Sequence, residues 1–218
     1  MAKNKKISHS EIISSYMNFV LENNTPPKSV YAFAKAANFE ESEFYNYFGS
    51  FEGIEKEILN TFFNNTLETL NKSEEYLTFD SRSKLLSFYF TFFENFSANR
   101  SYLLLVLNNG SINLQKLRTL NILKNSFTKF ISELNIDTLD FKEQKISKFQ
   151  DKAIEESAWM QFLITIKFWI NDNSASFEKT DIFIEKAVNT SFDLLNTAPL
   201  KSVIDLGKFL YKEKMNSN

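Results

Sequence analysis

Residues 29–50 read Ser29-Val30-Tyr31-Ala32-Phe33-Ala34-Lys35-Ala36-Ala37-Asn38-Phe39-Glu40-Glu41-Ser42-Glu43-Phe44-Tyr45-Asn46-Tyr47-Phe48-Gly49-Ser50. Ser29 is a good N-cap for a short helix, Val30 to Ala37, with Val30, Phe33, Ala34 and Ala37 on one side. Asn38-Phe39 predicts a tight turn, because asparagine tolerates the left-handed conformation better than most residues. Glu41 to Phe48 then forms a second short helix with Phe44, Tyr45 and Phe48 as its apolar or aromatic residues. Gly49 stops it and Ser50 caps the next, longer helix. Two short helices joined by a tight corner and feeding a long one describe a helix-turn-helix.

Outward from this stretch the spacing is helical throughout. Upstream, Ile12, Ile13, Tyr16, Met17, Val20 and Leu21 make one face of a helix from Ser8 to Asn23, which Pro26-Pro27 prevents from continuing. Downstream, Ile54, Ile58, Leu59, Phe62, Phe63, Leu67 and Leu70 carry a stripe to about Glu75. Asp80 or Ser81 starts a helix through Leu85, Phe88, Phe92 and Phe96, and the run Phe88-Tyr89-Phe90-Thr91-Phe92-Phe93 is apolar almost all round, which implies burial on several sides. A short helix, Ser101 to Asn108, is followed by one marked by Leu117, Leu120, Phe127, Phe130, Ile131 and Leu134. The last long pair runs from Phe141 to Asn171 and from Phe177 to Asn196, with a final amphipathic segment at Val203 to Tyr211.

Composition agrees. Only four glycines and three prolines occur in 218 residues, and none of the prolines lies between Pro27 and Pro199. A β-sandwich or a glycine-rich α/β enzyme needs more turn residues than that, so the chain is expected to be all-α. Without cysteine there is no thiol nucleophile, disulfide or thiolate metal site, and His9 is the single histidine, which removes histidine triads and two-histidine metal centres. No catalytic residue, metal or cofactor is therefore expected. The longest aliphatic run, Leu103 to Leu107, is far below the roughly 20 residues that span a bilayer. Lys3-Asn4-Lys5-Lys6 leads into polar residues rather than an apolar stretch, so it does not read as a secretion signal, and a cytoplasmic location is expected. The net charge of −2 gives no overall pull toward nucleic acid.

The first 60 residues resemble the N-terminal domain of the TetR family of transcriptional regulators. The matching positions are Ser29-Val30, Phe33-Ala34, Ala37-Asn38-Phe39, Phe44-Tyr45, Tyr47-Phe48, Ser50, Glu52 and Ile54. The resemblance implies a three-helix DNA-binding domain over 1–50 and a larger ligand-binding and dimerisation domain over 51–218. It implies that Ser29 caps its helix near a phosphate, and that Glu41, Ser42, Glu43 and Asn46 face the major groove. Tyr45 and Tyr47 would reach the phosphate backbone while Phe44 and Phe48 pack inward. Two departures stand out: Phe51 occupies a position where the family usually has lysine, and Glu40, Glu41 and Glu43 make the recognition helix acidic. Over residues 26–60, Lys28, Lys35 and Lys56 stand against Glu40, Glu41, Glu43, Glu52, Glu55 and Glu57, a balance of −3 that opposes phosphate contact. The tail Lys3-Lys5-Lys6 could supply cations from a minor-groove arm or be a solvated end.

A second, shorter resemblance runs from Trp159 to Glu185, through Phe162, Phe168-Trp169, Asp172, Ser174, Phe177-Glu178, Thr180-Asp181 and Phe183-Ile184. It is to the mitochondrial coenzyme-Q biosynthesis lipid-binding proteins, which share the TetR fold without being repressors. It implies a lipid-like or isoprenoid ligand and a membrane-touching amphipathic helix at Val203 to Tyr211.

Three groups of residues carry two readings each. Phe88, Phe92 and Phe96, with Trp159 and Phe162, are either core or the lining of an apolar ligand site. Trp159, Phe162, Ile166 and Trp169, with Ile184, Val188 and Phe192, predict a four-helix homodimer interface, the other reading being intrachain core. Asp172, Glu178 and Asp181 read as helix-terminal carboxylates rather than an acid pair, and His9 as a surface residue. The leading expectation is a homodimeric DNA-binding regulator answering a small apolar effector. The alternative is a lipid-binding accessory protein on the same fold that does not bind DNA.

Overall fold

The computed structural model describes residues 7–107, 114–136 and 144–195, and among these every regular element is helical. In chain order they are α1 (His9–Asn23), α2 (Val30–Ala36), α3 (Glu41–Phe44), α4 (Phe51–Asn71), α5 (Glu74–Thr78), α6 (Ser81–Ala98), α7 (Arg100–Leu107), α8 (Leu114–Glu133), α9 (Gln144–Asn171) and α10 (Glu178–Leu195). The fold is all-α, as the scarcity of turn residues requires. No described helix is long and apolar enough to cross a membrane. The basic tail and the Val203 to Tyr211 segment lie outside the described residues.

The boundaries have local causes. Ser8 caps α1 by accepting from the Glu11 amide, while the Glu11 side chain accepts from the Ser8 amide. Asn24 ends α1 in the left-handed conformation, with φ of 54°. Two predicted helices are shorter than their spacing suggests. The stripe expected to reach Glu75 breaks at Asn71, because Ser73 caps a separate short helix by accepting from the Tyr76 amide. The second helix of the motif is a true α-helix only over Glu41–Phe44, continuing to Phe48 as tighter turns in which Asn46 donates to the Glu43 carbonyl and Tyr47 to that of Phe44.

Two compact units are present. One comprises residues 1–68 and 92–126, the other residues 69–91 and 127–218. In the first, α1 lies against α7, and α2 against α3. Buried Thr66 donates to the Phe62 carbonyl and accepts from Asn95 Nδ2 at 3.1 Å, so a polar group in this interior is fully partnered.

The second unit is built on aromatic rings. Phe88 lies 4.7 Å from Phe130 and 5.7 Å from Phe127, and Phe127 stacks on Phe162 at 4.5 Å. Arg82 spans from α6 to α10, with Nη2 2.7 Å from Asp193 Oδ1 and its guanidinium over the Phe192 ring. α9 and α10 are joined by a turn in which Ser176 and Phe177 both have positive φ, 52° and 59°. Asp172 holds this turn. It is 5% exposed, and its carboxylate accepts from the amides and the hydroxyls of both Ser174 and Thr180, at 2.7 to 2.9 Å. The carboxylate thereby serves as a helix-end cap, the role expected for it.

Burial pushes the Asp172 carboxyl up, but the hydrogen bonds from Ser174 and Thr180 outweigh it and bring its pKa down to about 2. A depressed carboxyl stabilises the folded state above the ordinary aspartate value, near pH 4, and that stabilisation is lost as the pH falls through about 2. Asp172→Ala is expected to lower the unfolding free energy by about 2 kcal/mol near neutral pH. The difference from wild type should shrink as urea melts are taken from pH 5 toward pH 2.

Candidate nucleic-acid interface

Phe33 organises the helix-turn-helix. Its ring is fully buried and meets five others, mostly edge-on: Tyr16 at 5.9 Å, Phe19 at 6.1 Å, Phe39 at 5.4 Å, Phe44 at 6.3 Å and Phe51 at 5.9 Å. These come from α1, the corner, α3 and α4, so one side chain fixes the relative placement of every element in the motif. Asn38 turns the corner with φ of 58°, and the Phe39 amide closes it by donating to the Ala34 carbonyl. Ser29 caps α2 by accepting from the Ala32 amide at 3.1 Å.

With Phe39, Phe44 and Phe48 turned inward, the intervening side chains face out. Ser42, Tyr45, Asn46 and Tyr47 are exposed, and Glu41 and Glu43 are half-exposed. Ser29 is also exposed, so all seven residues proposed from the sequence lie at the surface, six of them on one short helix and its continuation.

The carboxylates here have internal tasks. Glu43 accepts from the Glu40 amide at the start of α3, and Glu41 accepts from the Tyr45 hydroxyl at 3.3 Å. Glu52 pairs with Lys56 at 2.7 Å, one turn apart on α4, and Glu55 accepts from Tyr16 at 2.8 Å. Of the six glutamates behind the local balance of −3, Glu41, Glu43, Glu52 and Glu55 are engaged by these contacts within the chain. The Tyr45 hydroxyl, directed at Glu41, must leave it to meet a phosphate.

Three features of this surface escaped the sequence reading. Phe51, where a lysine is usual in the resembled family, stacks on Tyr16 at 5.5 Å and meets Phe44 at 5.6 Å, so a half-buried ring stands where that family has a cation. His9 is exposed but not idle: it stacks on Phe48 at 4.9 Å and meets Tyr47 edge-on. The Tyr47 hydroxyl donates to the Ile7 carbonyl at 3.4 Å. A histidine at the first position of an amphipathic helix carries no signal for such contacts, because its partners lie some 40 positions away.

The residues proposed for an apolar ligand are all buried. In the second unit Phe88 lies 6.2 Å from Phe162, which lies 5.7 Å from Trp159. In the first, Phe92 and Phe96 pack at 4.2 Å, with Phe62 5.5 Å from Phe96. Phe88, Trp159 and Phe162 thus belong to one unit, and Phe92 and Phe96 to the other. An open cleft does exist, with a volume of about 480 Å³, but it is lined by Ile164, Lys167, Phe168 and the turn after α9.

The residues expected at a four-helix interface are buried within the chain, none of them more than 9% exposed. The outward apolar residues are different. Met160, Ile164 and Phe168 recur every four residues on α9 with exposures of 57%, 49% and 37%, and α10 adds Ile182 and Leu194. Helix α9 is apolar on two sides, and periodicity alone does not say which side meets its own chain.

A family model described as tetracyclin repressor-like, C-terminal domain, matches residues 84–210, more than half of the chain. The chain belongs to the TetR family. A crystal structure of a Syntrophomonas wolfei protein assigned to the TetR-family transcriptional regulators has the same fold, with a TM-score of 0.61. The two are 17% identical, and the match covers 84% of this chain and 93% of that one. No curated protein matches the chain. The family model falls on the helices after α5, while the motif resembling the family's DNA-binding domain lies upstream of it, so the two indications are independent.

Proposed function

We propose that this TetR-family chain is a cytoplasmic, homodimeric regulator of transcription that binds operator DNA through residues 1–50 and holds a small apolar effector within residues 51–218. The observation that carries this reading is the outward presentation of Glu41 to Tyr47 on a helix-turn-helix pinned by Phe33, in a chain with a TetR C-terminal domain. Ser42, Asn46 and the half-exposed Glu41 and Glu43 meet base edges, glutamate accepting from cytosine N4, while Ser29, Tyr45 and Tyr47 take phosphates. Two copies pair through the exposed stripe of Met160, Ile164 and Phe168, setting two recognition helices at half-sites about 34 Å apart. The candidate lining for the effector is Phe88, Trp159 and Phe162 in one unit, or Phe92 and Phe96 in the other, and these buried rings must part to admit it. It acts by favouring a spacing of the two helices that no longer fits the half-sites. No catalytic step and no cofactor belong to this reading.

The acidic reading turn and the replacement of a surface cation by Phe51 favour a second reading, a lipid-binding accessory protein that keeps the fold and does not bind DNA. Binding to the DNA upstream of the protein's own gene separates the two. A regulator retains that DNA in preference to scrambled sequence, and its affinity falls with salt with a log–log slope of roughly −4 or steeper. No retention at low salt contradicts the regulator and leaves the accessory protein.

The dimer has its own check. Phe168→Glu is expected to shift the mass read by light scattering from dimer to monomer while the helical circular dichroism is kept, because the side chain is at the surface of the monomer. A dimer that persists places the contact elsewhere.

A further inference from the structure

The open cleft beside the turn after α9 has two kinds of wall. Ile164, Lys167, Phe168 and Asn171 succeed one another three and four positions apart, which puts them on one face of α9. Asp172, Ser174 and Lys179 carry the wall across the turn to the start of α10. Phe168 is held in place by Phe183, stacked on it at 4.6 Å with the ring planes 9° apart. The turn is fixed as well, since Asp172 accepts from Ser174 and Thr180, and the Lys179 amide donates to Ser174 Oγ at 3.2 Å. The cleft is thus largely pre-formed, and its volume of about 480 Å³ lies in the range of small-ligand sites. Its cations have no counter-charge. Lys167 and Lys179 are both exposed, and neither forms an ion pair among the described residues. Helical spacing offers none: three and four positions from Lys167 lie Leu163, Ile164, Ile170 and Asn171, and from Lys179 within α10, Ile182 and Phe183. Asp172 is the carboxylate in the wall, but it is buried and uses its oxygens on Ser174 and Thr180, while Glu178 and Asp181 of α10 are not part of the wall.

We propose that this cleft binds an amphiphilic anion, with a carboxylate or phosphate head held by Lys167 and Lys179 and a single aliphatic chain laid along Ile164 and Phe168. Neither half suffices. A bare anion gains little from exposed lysines in water, and an uncharged chain leaves two ammonium groups beside it unmatched. The cleft is lined by none of the buried rings offered for the effector, and the site stands whether or not the chain binds DNA. Ile164 and Phe168 also belong to the stripe proposed for pairing, so the ligand and a second copy compete for them. That consequence alone rests on the pairing reading.

Titration calorimetry on the full chain tests the site with decanoate, decyl phosphate, decanol and inorganic phosphate, the amphiphiles kept below their micellar concentrations. Decanoate and decyl phosphate should bind about tenfold more tightly than decanol, and far more tightly than inorganic phosphate. The tighter of the two names the head group. Lys167→Gln and Lys179→Gln change exposed side chains and should keep the helical circular dichroism. Each should weaken decanoate about threefold and the double variant about tenfold, with decanol unchanged. Decanol binding as tightly as decanoate, or inorganic phosphate as tightly as decyl phosphate, overturns the site. Lysine variants that bind decanoate like wild type also overturn it, and place the ligand elsewhere in the chain. In light scattering, decanoate should move wild type from dimer toward monomer. Decanoate binding without that change in mass removes the competition and leaves the site.

Discussion

A single benzyl side chain holds the N-terminal part of this molecule in register. Phe33 is the meeting point of rings from α1, the corner, α3 and α4, and it has no solvent-exposed surface. The short helices need such a centre. α2 spans seven residues and α3 four, lengths at which isolated helices do not persist in water. Their stability is tertiary, supplied by edge-to-face rings, and the direction in which Ser42, Tyr45, Asn46 and Tyr47 point follows from where Phe39, Phe44 and Phe48 are anchored.

The same economy explains the acidity of the surface. A surface turn with three glutamates looks hostile to phosphate until the partners of the carboxylates are traced. Glu43 stabilises the start of α3, Glu41 is tied to Tyr45, Glu52 to Lys56 and Glu55 to Tyr16. Local structure takes up acceptors that would otherwise face solvent, although their charge is still there and lowers the affinity such a surface can reach. At the other end of the chain Asp172 is the limiting case, a buried carboxylate whose hydrogen bonds hold a turn with two left-handed residues.

Much of the fold was legible because its signals are local. The Ser29 cap, the Asn38 corner and the inward phenylalanines depend on residues a few positions apart, and the structure has each of them. What could not be read depends on distant partners. The spacing that carries α4 to Asn71 continues into α5, and only the Ser73 cap separates them. Met160, Ile164 and Phe168 are as apolar as Phe162 and Ile166, and only the packing of α9 against its own chain decides which set is left outside. Phe51 was conspicuous as a missing cation, but its contacts with Tyr16 and Phe44 are made across 35 and 7 positions and leave no periodic trace. The candidate DNA-contacting residues lie at the surface, and the bond from the Tyr45 hydroxyl to Glu41 is one that the sequence reading did not include.

Native-state hydrogen exchange on wild type and Phe33→Leu reads the organising role of that ring most directly. The Ala37, Phe39 and Phe48 amides are bonded to the carbonyls of Phe33, Ala34 and Phe44, so they report on α2, the corner and the turn after α3. If Phe33 holds these elements as one cooperative unit, the three amides lose protection together and by a common factor, on the order of tenfold or more, while amides at the centre of α10 are unchanged. Loss confined to Ala37, with Phe39 and Phe48 still protected, would mean that the reading turn stands without the ring.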